Sequence, residues 1–94
     1  MMNLEQQFEI PAGVVARNLA GEMVILDLEK GIYFGLNAIG TRIWELLAKG
    51  SSVAQAKQMI VAEYEVTETA AERDLTALVA ELETRGLIIP VERA

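Results

Sequence analysis

Cysteine and histidine are both absent from this chain. Their absence excludes disulfides, thiolate nucleophiles, imidazole metal ligands and the commonest general base in one step. No apolar run approaches the roughly 18 to 20 residues of a membrane span. The amino end, MMNLEQQFEIPAG, lacks the basic start and apolar centre of a signal peptide. A cytoplasmic protein with no membrane partner is the expectation. Basic charge is also scarce: 8 Lys and Arg stand against 14 Asp and Glu, a net charge of -6. Phosphate neutralisation needs a basic surface, so nucleic acid is excluded as an expected partner.

Apolar side chains, by contrast, are plentiful. They make up 52% of the 94 residues, with 23% charged, the composition of a chain that folds by itself and without a cofactor. A single domain over residues 1–94 is expected, because a chain of this length has surface for only one core. Residues 1–12 are expected to be loose, since Gln6 and Gln7 sit among few apolar neighbours.

The apolar pattern changes period once. Val14 to Leu19, Met23 to Leu28 and Ile32 to Leu36 are short runs rich in β-branched and aromatic residues, each of strand length. Ala20-Gly21-Glu22 and Glu29-Lys30-Gly31 separate them as turns, which predicts an antiparallel meander. Beyond Leu36 the spacing is helical. Asn37 caps a helix carrying Ile39, Ile43, Leu46 and Leu47, with Gly50 ending it in a left-handed turn. Ser52-Val53-Ala54-Gln55 is a capping box that opens a second helix with Val53, Ala56 and Ile60 on one face. Thr69-Ala70-Ala71-Glu72 fits another, opening a third helix whose stripe of Ala71, Leu75, Leu78, Val79 and Leu82 stops at Gly86. The tail Leu87-Ile88-Ile89-Pro90 is expected to pack back extended, with Pro90 limiting further pairing. Three strands followed by three helices predict an α+β domain, a three-stranded antiparallel sheet on a helical bundle, winged helix-turn-helix-like.

Winged folds often bind DNA, and charge by segment tests that alternative. Residues 1–36 carry net -3, residues 37–62 carry +2 and the remainder -5. The second helix, which would enter the groove, offers Gln55, Gln58 and one Lys57, whereas DNA contacts draw mainly on Arg and Lys. The carboxylates Glu65, Glu68, Glu72, Asp74, Glu81 and Glu83 fall mostly on the solvent side of the third helix and its approach, where they read as solvated decoration. Glu81 and Arg85 are spaced for an ordinary exposed pair. No Asp-rich loop has EF-hand spacing. No catalytic residue, metal site or cofactor is expected.

Two of the five aromatic residues, Tyr33 and Phe34, are adjacent. Neighbours on a strand point to opposite faces, so whichever ring enters the core leaves the other outside or beside a groove. The third strand then reads as an open edge, with Gly35 allowing another backbone to approach. Such an edge invites a peptide to add as a further strand, and it could equally serve dimerisation. Trp44 reads as a core anchor.

Three separated blocks carry a family resemblance: Gly21-Glu22-Met23-Val24-Ile25-Leu26-Asp27, Gly31-Ile32-Tyr33-Phe34-Gly35-Leu36-Asn37, and Gly40-Thr41-Arg42-Ile43-Trp44-Glu45-Leu46-Leu47. Together with Val53, Tyr64, Val66, Asp74, Leu75, Leu82 and Gly86-Leu87-Ile88, the chain resembles the PqqD-like family over roughly residues 14–89. These are the peptide recognition elements of ribosomally synthesised, post-translationally modified peptide pathways. The resemblance implies a non-catalytic module that holds the leader of a precursor peptide as an added strand. The leader would lie against Ile32, Tyr33, Phe34, Gly35 and Leu36, beside a third helix over about Glu68 to Arg85.

On that helix Asp74, Leu75, Leu78 and Leu82 are the candidate contacts, divided between core and groove. Asp74 would either pair with a basic leader residue or be simply solvated. The resemblance also implies a companion enzyme as partner, either a lasso-type leader protease or the radical enzyme of a quinone cofactor (PQQ) pathway. Leu26-Asp27, Tyr33, Leu36-Asn37 and Ile43-Trp44 look more similar to the lasso type.

Overall fold

Leu19 and Glu22 face each other across a two-residue turn in which Ala20 and Gly21 both have positive φ, 56° and 89°. That turn matches the right-handed twist of its flanking strands and closes the first hairpin. The computed structural model describes residues 3–91. Within them, β2 (Val14–Leu19), β3 (Glu22–Asp27) and β4 (Ile32–Leu36) form an antiparallel sheet in that order. Helices α1 (Ala38–Ala48), α2 (Val53–Glu63) and α3 (Glu68–Thr84) follow. The predicted α+β meander-then-bundle order is therefore the observed one.

At the second hairpin, buried Asp27 accepts the Glu29 and Lys30 N–H groups through Oδ1 at 3.0 and 3.1 Å, a local turn that Asp favours. The inner face of the sheet buries Val14, Met23, Ile25 and Leu36. Against it lie Ile43, Trp44, Leu46 and Leu47 of α1, with Val53, Ala56 and Ile60 of α2 and Ala71, Leu75, Val79 and Leu82 of α3 joining the same core. Trp44 is a core anchor, 4% exposed.

The helix ends follow the capping chemistry of the sequence. Asn37 Oδ1 accepts the Gly40 N–H at 2.8 Å, and Ser52 and Gln55 form both bonds of the capping box. Gly50, at φ 101°, ends α1, with Ser51 N donating to Leu46 O at 3.0 Å. α3 differs from expectation: its cap is Thr67, whose Oγ1 accepts the Ala70 N–H, and not Thr69. Thr69 matches the four-residue box as well as Thr67 matches a cap, but it already lies in the first turn.

The amino-terminal segment is a correction. Far from loose, residues 3–10 are tied down at both ends of the bundle, while Met1 and Met2 lie outside the described residues. Strand β1 (Phe8–Glu9) pairs with β5 (Ile89–Pro90), and Phe8 is 4% exposed. Val53 N donates to Gln6 O and Ala54 N to Leu4 O. Gln7 Nε2 donates to Gly50 O at 2.7 Å, and Gln6 Nε2 to Val91 O at 3.0 Å. The two glutamines are polar because they satisfy backbone carbonyls. Pro90 does not end the pairing either, since Val91 N donates to Gln7 O.

Arg42 and Glu63 clamp α1 to the end of α2 through two parallel bonds, Nε to Oε1 at 2.8 Å and Nη2 to Oε2 at 2.9 Å. That hydrogen bonding holds the Glu63 carboxyl below the ordinary glutamate range, against the opposing effect of desolvation.

Candidate functional site

Backbone bonding decides which side of β4 each residue serves. Leu28 N donates to Gly13 O on the β2 side, and successive strand residues direct their N–H and C=O groups to opposite sides. Residues Leu26, Val24 and Glu22 therefore turn to β2, and Asp27, Ile25 and Met23 turn to β4. Their register partners Ile32, Phe34 and Leu36 use their backbone groups inside the sheet. Tyr33 and Gly35 point theirs outward, along an edge that no described strand covers.

Side chains divide the other way. Tyr33 stands on the outer face of the sheet, 75% exposed, across from Leu26. Phe34 turns inward to the helix side, half-buried, with the Arg85 guanidinium 4.9 Å from its ring centre. A strand added to this edge would thus bond to Tyr33 and Gly35 and direct its own alternate side chains inward, level with Ile32, Phe34 and Leu36.

The space on that inner side is a cavity of about 300 Å³, lined by Gly35, Leu36, Asn37 and by Ile43, Leu78 and Asp74, with Ile39 and Gly40 of α1 at its side. A Cβ built on Gly35 meets nothing within 4 Å, so the approach to the edge is clear. Its walls are mainly apolar and Asp74 is the charged side chain in the lining, a combination that ligand-binding clefts share.

The candidate residues sort by position. Leu36, Gly35, Asp74 and Leu78 meet at the cavity, and Ile32, Tyr33 and Phe34 continue along its strand. Leu75 and Leu82 do not belong there: at 1% and 0% exposure they are core. Both share the α3 stripe with Leu78, and the 3.6-residue period cannot say which margin of a stripe meets a groove. The sequence pattern marks Ile39 and Ile43 only as apolar positions of the first helix, and pairs Arg85 with Glu81. That pair exists, at 2.9 Å, but the same guanidinium covers Phe34. Arg85 lies eleven positions from Asp74 on the helix, a repeat of the groove-facing side that could have flagged it.

The alternative face holds less chemistry. A second recess, about 320 Å³, is lined by Leu46, Lys49, Ser51, Gln55, Gln58 and Met59. Lys57, the basic residue of α2, is bound to Glu72 of α3 at 3.2 Å, so α2 presents no basic face to a phosphate backbone. Among the described residues no group of three or more Asp or Glu side chains is placed to hold a metal ion, and no helix is long and apolar enough to cross a membrane.

A three-stranded antiparallel sheet packed on three helices, with the uncovered edge of β4 beside a mainly apolar cavity, defines a winged-helix-type α+β domain. Comparison with known proteins places it further. The family model for coenzyme PQQ synthesis protein D (PqqD) matches residues 22–88, and the chain belongs to the PqqD family. No curated protein sequence matches significantly. Two solved structures do, each at 36% identity and a TM-score of 0.82. One, TbiB1 in complex with the TbiA(beta) leader peptide, aligns over 90% of this chain and 99% of its own. The other, lasso peptide synthetase B1 complexed with the leader peptide, aligns over 89% and 99%.

Proposed function

We propose that this chain is the leader-recognition module of a lasso peptide pathway, working in the cytoplasm. It captures the leader of a precursor peptide as a strand added to β4 and presents it to a companion processing enzyme, with no catalysis of its own. The observation that carries this reading is the outward-facing backbone of Tyr33 and Gly35 running beside the cavity of Leu36, Ile43, Leu78 and Asp74. Backbone bonds along the edge supply affinity and register, and the cavity supplies side-chain selection. Both similar structures hold a leader peptide, and one of them is a lasso peptide synthetase B1, which supports the lasso reading over the quinone one. The net charge of -6 and the engagement of Lys57 weigh against DNA.

Fluorescence anisotropy with labelled TbiA(beta) leader, and with labelled leaders of precursors encoded beside this chain, tests the proposal. Saturable binding that an unlabelled leader competes away is the expected result. Absence of saturable binding by every leader, with the domain folded by circular dichroism, would overturn it. Leader cleavage by this chain alone would overturn the non-catalytic part.

A further inference from the structure

The cleft between β4 and α3 carries opposite charges at its two ends. Asp74 lines the cavity at the Leu36 end. At the other end the Arg85 guanidinium covers Phe34, and the Lys30 ammonium donates to the Arg85 carbonyl at 3.4 Å. The eleven positions from Asp74 to Arg85 rise about 16 Å as helix. The five from Leu36 back to Gly31 span about 17 Å as strand. Contacts near both places, Asp74 and Leu78 with Leu36 around the cavity and Arg85 over Phe34 and against Lys30, set the helix along the strand with an acid towards one end and two bases towards the other. Screening at physiological salt, with a Debye length of about 8 Å, makes a bound side chain respond most to the charge nearest it.

Neither end is neutralised by its neighbours. Arg73 touches Asp74 at 3.6 Å, but the two side chains are 74% and 69% exposed. Adjacent helix positions do not share a face, and such exposed pairs contribute little. At the other end Glu81 offsets Arg85 at 2.9 Å. The Lys30 ammonium meets no carboxylate among the described residues, so a positive charge remains.

Strand direction follows from the sheet. An antiparallel sheet extends most readily by another antiparallel strand, which sets the peptide's amino end beside Leu36 and its carboxyl end beside Ile32. Resting on the strand-addition reading above, we infer that the groove selects peptides of one charge polarity. A Lys or Arg on the amino side meets Asp74, apolar side chains at alternate positions fill the cavity against Ile43 and Leu78 and lie over Phe34, and an Asp or Glu on the carboxyl side meets Lys30 and Arg85.

A phage-displayed library of random linear peptides, panned on the full chain, tests this without a known ligand. Binders retained by the wild-type protein and lost on folded Gly35→Pro should carry basic residues before the alternating apolar positions and acidic residues after them. Asp74 and Lys30 are both exposed, so reversal at either should leave the fold intact. Asp74→Lys should lower the basic-to-acidic ratio on the amino side by about two- to fivefold and leave the carboxyl side unchanged. Lys30→Glu should do the converse. Enriched strand-like peptides with no charge preference, or with the order inverted, would overturn the polarity while leaving strand addition standing. No enrichment over Gly35→Pro would overturn strand addition and the polarity with it.

Discussion

Thr41 of α1 takes the place of one rung in the β3–β4 ladder: its hydroxyl accepts the Met23 N–H at 2.8 Å and donates to the Leu36 carbonyl at 3.4 Å. Met23 and Leu36 are register partners, so the bond they would share passes through a helix side chain. That insertion fixes where α1 leaves the end of β4, and with it the Asn37, Ile39 and Gly40 side of the cavity. Thr41 is itself 4% exposed, so no water can replace it. Thr41→Val should therefore lower stability by about 1 to 3 kcal/mol, the cost of an unsatisfied buried N–H. Thr41→Ser, which keeps the hydroxyl, should lose less. Urea midpoints at constant slope measure both.

Ala20 is a second place where the chain holds a local cost. Its φ of 56° is left-handed backbone that disfavours a Cβ by about 1 to 2 kcal/mol. Asn tolerates this conformation and suits the first position of a two-residue primed turn before Gly. Ala20→Asn should stabilise the domain by about 1 kcal/mol, read as a rise in Tm, with peptide binding unchanged because Ala20 lies in the β2–β3 turn, outside both β4 and the cavity lining.

The elements were legible because each carried its own punctuation. Gly21, Asn37, Ser52 with Gln55, and Gly86 mark boundaries by local chemistry that tertiary contacts did not override. Two features were not legible. Strand β1 was not visible because its partner strand, Ile89–Pro90, lies at the opposite end of the chain, and a two-residue pairing has no period to detect. The division of α3 between core and cleft was also hidden. Leu75, Leu78 and Leu82 are identical in kind and lie within one stripe, and only the position of β4 makes Leu78 the one on the cavity.

That division gives a paired prediction. Leu75→Ala empties a site that is 1% exposed and should cost about 2 to 5 kcal/mol of stability. Leu78, half-buried on the cavity wall, should lose less stability on truncation and more leader affinity, since a side chain filling a pocket can be worth 1 kcal/mol or more. Melting temperature and leader anisotropy on the same samples separate the two. If both variants fall in proportion on both measures, Leu78 is core and the cleft does not extend to it.

Acid should loosen the α1–α2 clamp. Hydrogen bonding to Arg42 lowers the Glu63 pKa in the folded state. Such a group adds stability above its unfolded pKa, about 4.3, and that contribution disappears as the pH falls through the lower folded value. Wild-type Tm should therefore drop on acidification through and below that range. Glu63→Gln should already be less stable at neutral pH and should lose less on acidification. Parallel Tm profiles for the two proteins would show that this pair contributes nothing.

The sharpest test of the binding edge is Gly35, because its N–H points away from β3. Proline there removes a donor that no bond within the domain uses, whereas proline at Phe34 or Leu36 would break the ladder itself. Gly35→Ala serves as the control: it keeps the N–H, and its methyl meets nothing within 4 Å. Gly35→Ala should bind leader as the wild type does. Gly35→Pro should fold, as judged by circular dichroism and Tm, and should bind at least about fivefold more weakly, the loss of one net hydrogen bond of about 1 kcal/mol. A folded Gly35→Pro protein with undiminished affinity would mean that the peptide does not pair with this edge, and the cavity beside Leu78 would then have to be read as a side-chain pocket reached from another direction.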